Sequence, residues 1–143
     1  MRPCVGWLED LPSLSQPRYS HGCASYLNAD GSRVLLVAGG FSWSLQSKLE
    51  TTEFLVLNSR PLWVQMAPLP APWNSGTVGI VGVTVDNVVL LLGGEAGLYV
   101  DRMVQYEDQR WVGVGQNLNM TLARANHAVS VIDINLVTLH CCQ

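Results

Sequence analysis

Charge is scarce in this 143-residue chain: 13% of its residues are charged, and Lys48 is its single lysine. Eight basic residues against eleven acidic ones give a formal charge of -3, with no Lys/Arg cluster anywhere. Phosphate backbones are bound by neutralising many charges together, so nucleic acid is not an expected partner. Long apolar runs are missing too. Stretches such as Val88 to Leu92 fall far short of the roughly 20 residues a membrane helix needs, and no membrane span is expected. The first ten residues, Met1 to Asp10, lack the apolar core of a signal peptide and turn acidic at once. The compartment stays open between the cytoplasm and a place in a secreted protein.

Histidine is equally sparse, with three in the chain. Copper and non-haem iron sites want two or three histidines, or histidines with a carboxylate, converging in space. His21 and His127 are the pair whose approach would be worth testing. Four cysteines, Cys4, Cys23, Cys141 and Cys142, show no Cys-x-x-Cys pair, and their disulfide state is open. His140 beside Cys141-Cys142 would need two more ligands for a tetrahedral site. Nucleophile elbows, phosphate loops and paired acids do not appear, and neither glycine doublet is a phosphate loop, because neither carries a Gly-Lys-Ser/Thr ending. No catalytic residue, metal or cofactor is therefore expected.

Helix signals are almost absent, since no segment sustains an i, i+3, i+4 apolar pattern between a cap and a stop. What is present instead is 48% hydrophobic content, enough for a packed domain, in short runs of Val, Leu, Ile, Thr and Tyr. Turn clusters such as Asn28 to Ser32, Asn58 to Pro61 and Asp86-Asn87 separate the runs. The chain reads as all-β.

Within it lies an internal repeat. Gly39-Gly40 closes Val34 to Ala38, Gly93-Gly94 closes Val88 to Leu92, and each is followed by a tryptophan, Trp63 or Trp111. The doublets lie 54 positions apart and the tryptophans 48 apart. A four-strand register follows. In the first unit the strands are Tyr19–Leu27, Val34–Ala38, Thr52–Leu57 and Leu62–Met66. In the second they are Gly76–Val85, Val88–Leu92, Arg102–Tyr106 and Arg110–Val114. Trp7 to Pro12 matches the tryptophan start and Leu-Pro exit of the segment beginning at Trp63, so residues 7–12 read as the outer strand of a preceding unit. Leu122 to His127 matches Gln16 to His21 and opens a further unit at 122–139, whose second strand would be Leu136–Leu139.

Arg18-x-x-His21, the run Val34 to Gly40, Thr52-Glu53-Phe54 and Trp63 resemble the kelch motif, and Val88 to Gly94, Val104-Gln105-Tyr106 and Trp111 repeat the match. The resemblance covers residues 7–139. It implies β-propeller blades, each a four-stranded antiparallel sheet, with full blades at 16–70 and 74–118. The second blade has Trp73-Asn74-Ser75-Gly76 where the first has its arginine and histidine. Two blades and two fragments do not close a ring of the usual four to eight blades, so an incomplete propeller is expected, with self-association through uncovered blade faces.

The resemblance further implies a non-catalytic module that offers its loop rims to a protein partner. Candidate contacts are Phe41, Ser42, Trp43 and Ser44 after the first doublet, and Glu95, Ala96, Gly97 and Leu98 after the second. Trp43 has two readings, an anchor for a partner or packing on its own blade. Arg18 and Arg124 read either as ligand-gripping rim residues or as cross-links between neighbouring blades, and their repeated frame favours the structural role. Other classes stand beside this one: an extracellular recognition or adhesion protein, for which Asn119-Met120-Thr121 is a glycosylation sequon, and a kelch-type propeller enzyme, which the fold alone does not exclude.

Overall fold

The structure, a computed structural model, describes residues 11–58, 60–107, 109–115 and 120–129. Cys4, Trp7, the Asn119 sequon, the Leu136–Leu139 strand and the His140-Cys141-Cys142 cluster lie outside the described residues. Among those described, twelve strands follow one another: β1 Gly22–Leu27, β2 Arg33–Ala38, β3 Phe41–Ser42, β4 Ser47–Lys48, β5 Thr52–Val56, β6 Trp63–Gln65, β7 Val81–Val85, β8 Val88–Leu92, β9 Glu95–Ala96, β10 Leu98–Tyr99, β11 Met103–Glu107 and β12 Arg110–Gly113. A 3-10 turn spans Trp73–Ser75. The chain is all-β, as its composition and periodicity require.

Two four-stranded antiparallel sheets carry the fold. Sheet I has the order β1-β2-β5-β6, and sheet II repeats it as β7-β8-β11-β12. The apolar runs Val34 to Ala38 and Val88 to Leu92 become β2 and β8, which lie inside their sheets and are buried on both faces through most of their length; that is why they read as continuous rather than alternating. Asp86 and Asn87, with φ of 47° and 66°, form the tight β7–β8 turn, since a two-residue hairpin loop that matches strand twist needs positive φ at both positions.

The core lies between the sheets. Leu36 and Ala38 of sheet I meet Val89, Leu91 and Val104 of sheet II across Leu69, Trp73 and Ile80 of the connecting segment. The inner strands β1 and β7 run so close that a Cβ on Gly82 would sit 2.3 Å from the Cys23 carbonyl oxygen. Thr84 Oγ1 donates to Ser25 O at 2.7 Å, and the Asn87 amide clasps Leu27 through both its N–H and its C=O at 2.6 and 2.7 Å.

The glycine doublets join successive units. Gly40 N–H donates to Thr77 O at 2.7 Å and Gly94 N–H donates to Arg124 O at 2.9 Å. All four doublet glycines have positive φ, and a Cβ on Gly93 would lie 2.5 Å from Arg124 O. Inside them runs a second link. Gly79 N–H donates to Ser20 O at 2.8 Å, and Asn126 N–H donates to Gly79 O at 2.9 Å. Ser20, Gly79 and Asn126 share left-handed φ values of 55°, 65° and 52°, so they are one position in three successive units.

This hub corrects three sequence expectations. The residues equivalent to Arg18 and His21 in the second unit are Thr77 and Ile80, not part of Trp73 to Gly76. The second unit's inner strand begins at Val81 rather than Gly76. Phe54 faces Leu36 while Gln105 faces Leu90, so Tyr106 matches Leu55 rather than Phe54, and Val104 stands where Glu53 stands in the first unit. A slip of one residue along a strand exchanges its two faces, and residue type alone does not resolve it.

Candidate functional site

The segments after the glycine doublets are hairpins, not loops. Phe41 pairs with Lys48 and Ser42 with Ser47, while Glu95 pairs with Tyr99 and Ala96 with Leu98. Two residues per strand give too little alternation to be read from sequence. Bridges Tyr19–Phe41, Leu49–Thr77 and Val78–Glu95 join the hairpins to the unit starts, so Tyr19, β3, β4, Val78, β9 and β10 form one hydrogen-bonded ribbon along the rim. Lys48 Nζ forms an ion pair with the Glu95 carboxylate between the hairpins. Both side chains are about one-third exposed, and such a pair contributes at most about 1 kcal/mol; the backbone bridges fix the hairpins.

On this ribbon stands an aromatic cluster. The Tyr19 and Trp43 rings stack at 5.8 Å and 28°, Tyr19 and Phe41 lie 5.6 Å apart at 48°, and Phe41 meets Trp43 edge-on at 5.7 Å and 75°. Trp43 nevertheless stays 68% exposed and Tyr19 45%. Trp43 thus packs on its own unit and faces outward. Pro17, Ser44 and these rings line a shallow, apolar hollow of about 510 Å³. Leu98, 81% exposed, and Tyr99, 66% exposed, project from the second hairpin. Ser42 is fully buried, and its hydroxyl accepts a hydrogen bond from Gln16 Nε2 at 2.6 Å, so it belongs to the support of the rim rather than its surface.

Arg18 is buried and its guanidinium works inside sheet I. It donates to Gly39 O at 3.0 Å, Thr51 O at 2.9 Å and Thr51 Oγ1 at 3.1 Å, and pairs with the Glu53 carboxylate. The expected cross-link therefore ties parts of one unit together instead of two units. Arg124 repeats the local turn, since its Nε donates to Leu122 O at 3.2 Å as Arg18 Nε donates to Gln16 O at 3.2 Å. Its guanidinium is exposed, and its backbone oxygen carries the link to Gly94. In the second unit the donor at the equivalent glycine carbonyl is Trp73: its Nε1–H reaches Gly93 O at 2.7 Å. An indole does there what a guanidinium does in sheet I.

Trp63 Nε1 donates to Pro12 O at 2.9 Å, the edge partner an outer-strand indole requires. Ile80 holds in the second unit the place that His21 and His127 hold in the units on either side, one residue beyond Ser20, Gly79 and Asn126. Among the described residues no three His, Cys, Asp or Glu side chains approach closely enough to hold a metal, and no helix is long and apolar enough to cross a membrane.

Burial, then the Arg18 charge, holds the His21 imidazole below its usual pKa of 6.5; burial, then Arg124, lowers that of His127. The unfolded chain therefore takes up protons first as the solution is acidified. Stability from this source is complete above pH 6.5 and is lost as the pH falls through the lowered folded values. His21→Ile, which copies Ile80, should fold and show a shallower fall of melting temperature between about pH 6.5 and pH 5. Superimposable pH profiles for the two proteins would show that His21 carries none of this dependence.

No protein-family profile matches the chain, and no curated protein does. Solved structures do match in shape. A structure named "Structure of YjhT" superposes with a TM-score of 0.61 at 15% identity, covering 80% of this chain and 36% of that one. The likeness concerns the fold, and the chain spans little more than a third of that structure's length.

Proposed function

We propose that the two sheets are consecutive blades of a kelch-type propeller and that the hairpin rim docks another protein, without catalysis. The observation that carries the reading is the aromatic cluster of Tyr19, Phe41 and Trp43, exposed on a ribbon whose backbone is pinned by hydrogen bonds on both sides. Exposed aromatics on a preorganised support bind with little loss of side-chain freedom, and interface energy concentrates in such residues. Leu98 and Tyr99 extend the apolar surface onto the second hairpin. The ordered repetition of the hub and the shape shared with a longer solved chain support the propeller reading. A partner suited to this rim offers an apolar or aromatic side chain to the hollow beside Trp43.

The test is selection of a displayed peptide library on the immobilised chain. Selected peptides should carry apolar residues and bind Trp43→Ala about thirtyfold more weakly, the loss expected of a hot-spot residue, while the melting temperature stays within a degree or so of the parent because Trp43 is mostly exposed. Peptides that bind Trp43→Ala and Leu98→Ser as tightly as the parent would refute the rim as the docking surface, and a large drop in melting temperature for Trp43→Ala would make that side chain structural.

A further inference from the structure

At the opposite end of the strands from the rim, a cleft of about 820 Å³ opens between the two sheets. Tyr26 of β1 and Phe54 of β5 line it from sheet I, and Tyr106 of β11 from sheet II. The Tyr26 and Tyr106 rings meet across the sheets at 6.0 Å and 53°, and Trp111 backs Tyr106 at 5.1 Å and 57°. Its mouth is formed by turns that carry Asp30, Asn87 and Gln109. Two of these turns are held firmly: Asn87 clasps Leu27, and Asn28 Oδ1 accepts from the Asp30 and Ser32 N–H groups at 3.2 and 3.0 Å.

The chemistry of the lining selects a charge sign. Among the described residues no lysine or arginine lines the cleft, and Asp30 is the one formally charged residue that does. Hydrogen bonds from Ser32 hold the Asp30 carboxyl below the usual range, and burial raises both tyrosine hydroxyls. At neutral pH the site is therefore a carboxylate beside neutral rings. Aromatic faces present negative potential to whatever lies over them. Among the described residues no cation lines the cleft to balance an anion, and a neutral apolar molecule would leave the carboxylate unused.

We propose that this inter-sheet cleft binds an alkylated ammonium ion, with its methyl groups against Tyr26, Phe54 and Tyr106 and its charge toward Asp30. The rings supply both contact area and cation–π attraction, and the carboxylate adds a longer-range pull that salt will weaken.

Titration calorimetry of the whole chain with choline, and with dimethylbutanol in which carbon replaces the quaternary nitrogen, tests the charge directly. Choline should bind about tenfold or more tightly than its neutral isostere, and added salt should weaken choline alone. Asp30→Asn and Tyr106→Leu should each lower choline affinity about three- to tenfold, and Tyr106→Phe, which keeps the ring and the packing, should retain it. Equal affinity for the two compounds, no saturable choline binding, or choline affinity unchanged in both Asp30→Asn and Tyr106→Leu would overturn the proposal.

Discussion

Replacing Glu53 by valine will destabilise the chain by about 3–5 kcal/mol, the cost of leaving a buried charge without its partner. Glu53 is 2% exposed and the Arg18 side chain is fully buried. The carboxylate also accepts from Ser15 N–H at 2.8 Å and Gln16 N–H at 3.4 Å, so its loss strands two backbone donors with the guanidinium. Sheet II suggests the compensating change. Where sheet I has Arg18 and Glu53, sheet II has Thr77 and Val104, without charge. The double variant Arg18→Met with Glu53→Val should therefore recover much of the loss, as buried ion pairs replaced by apolar groups often do. Urea unfolding of the two single variants and the double gives the cycle. A cost below about 1 kcal/mol for Glu53→Val, or strict additivity in the double, would show that the pair is not desolvated as its burial implies.

Trp73→Ala should cost about as much, 3–5 kcal/mol, because a fully buried indole leaves a large cavity between the sheets. Trp73→Phe separates the two contributions. It retains most of the apolar volume but removes the Nε1–H that satisfies Gly93 O, and a buried carbonyl left without its donor costs about 1–3 kcal/mol. The alanine variant should also weaken the junction of the sheets, since Trp73 packs with Leu36 and Ala38 of one and Leu91 and Val104 of the other. A Trp73→Ala protein that unfolds at the parent's urea midpoint would place the core elsewhere.

Much of the architecture is legible because the repeat is written in residue types with unusual backbone demands. The glycine doublets need left-handed φ and room for a neighbouring carbonyl, and the apolar runs before them are the strands buried on both faces. Strand order and boundaries follow within a few residues. Register is less visible: Phe54 and Tyr106 look alike as aromatics, yet ladder partners place them one position apart. The rim is half visible. An aromatic among polar neighbours marks Trp43, but Tyr19 is hidden because it reads as the start of a strand, and its ring meets Phe41 and Trp43 through a bridge that spans the unit. The exchange of a guanidinium for an indole at the doublet carbonyl is invisible, since Trp73 and Arg18 occupy different positions and agree only in the atom they reach. The same holds for Arg18 and Glu53, thirty-five residues apart.

Ser20, Gly79 and Asn126 keep one backbone shape although the chain between the first two is twelve residues longer than that between the last two. Nearly all of the surplus sits in three places remote from these amides: the turn after β1, the hairpin beyond the doublet and the turn before the outer strand. The two units thus differ in length at their periphery while the linked amides keep one geometry. Engineered insertions at Asn28–Ser32, Ser44–Gln46 or Asn58–Pro61 follow a route the molecule has already taken once within itself.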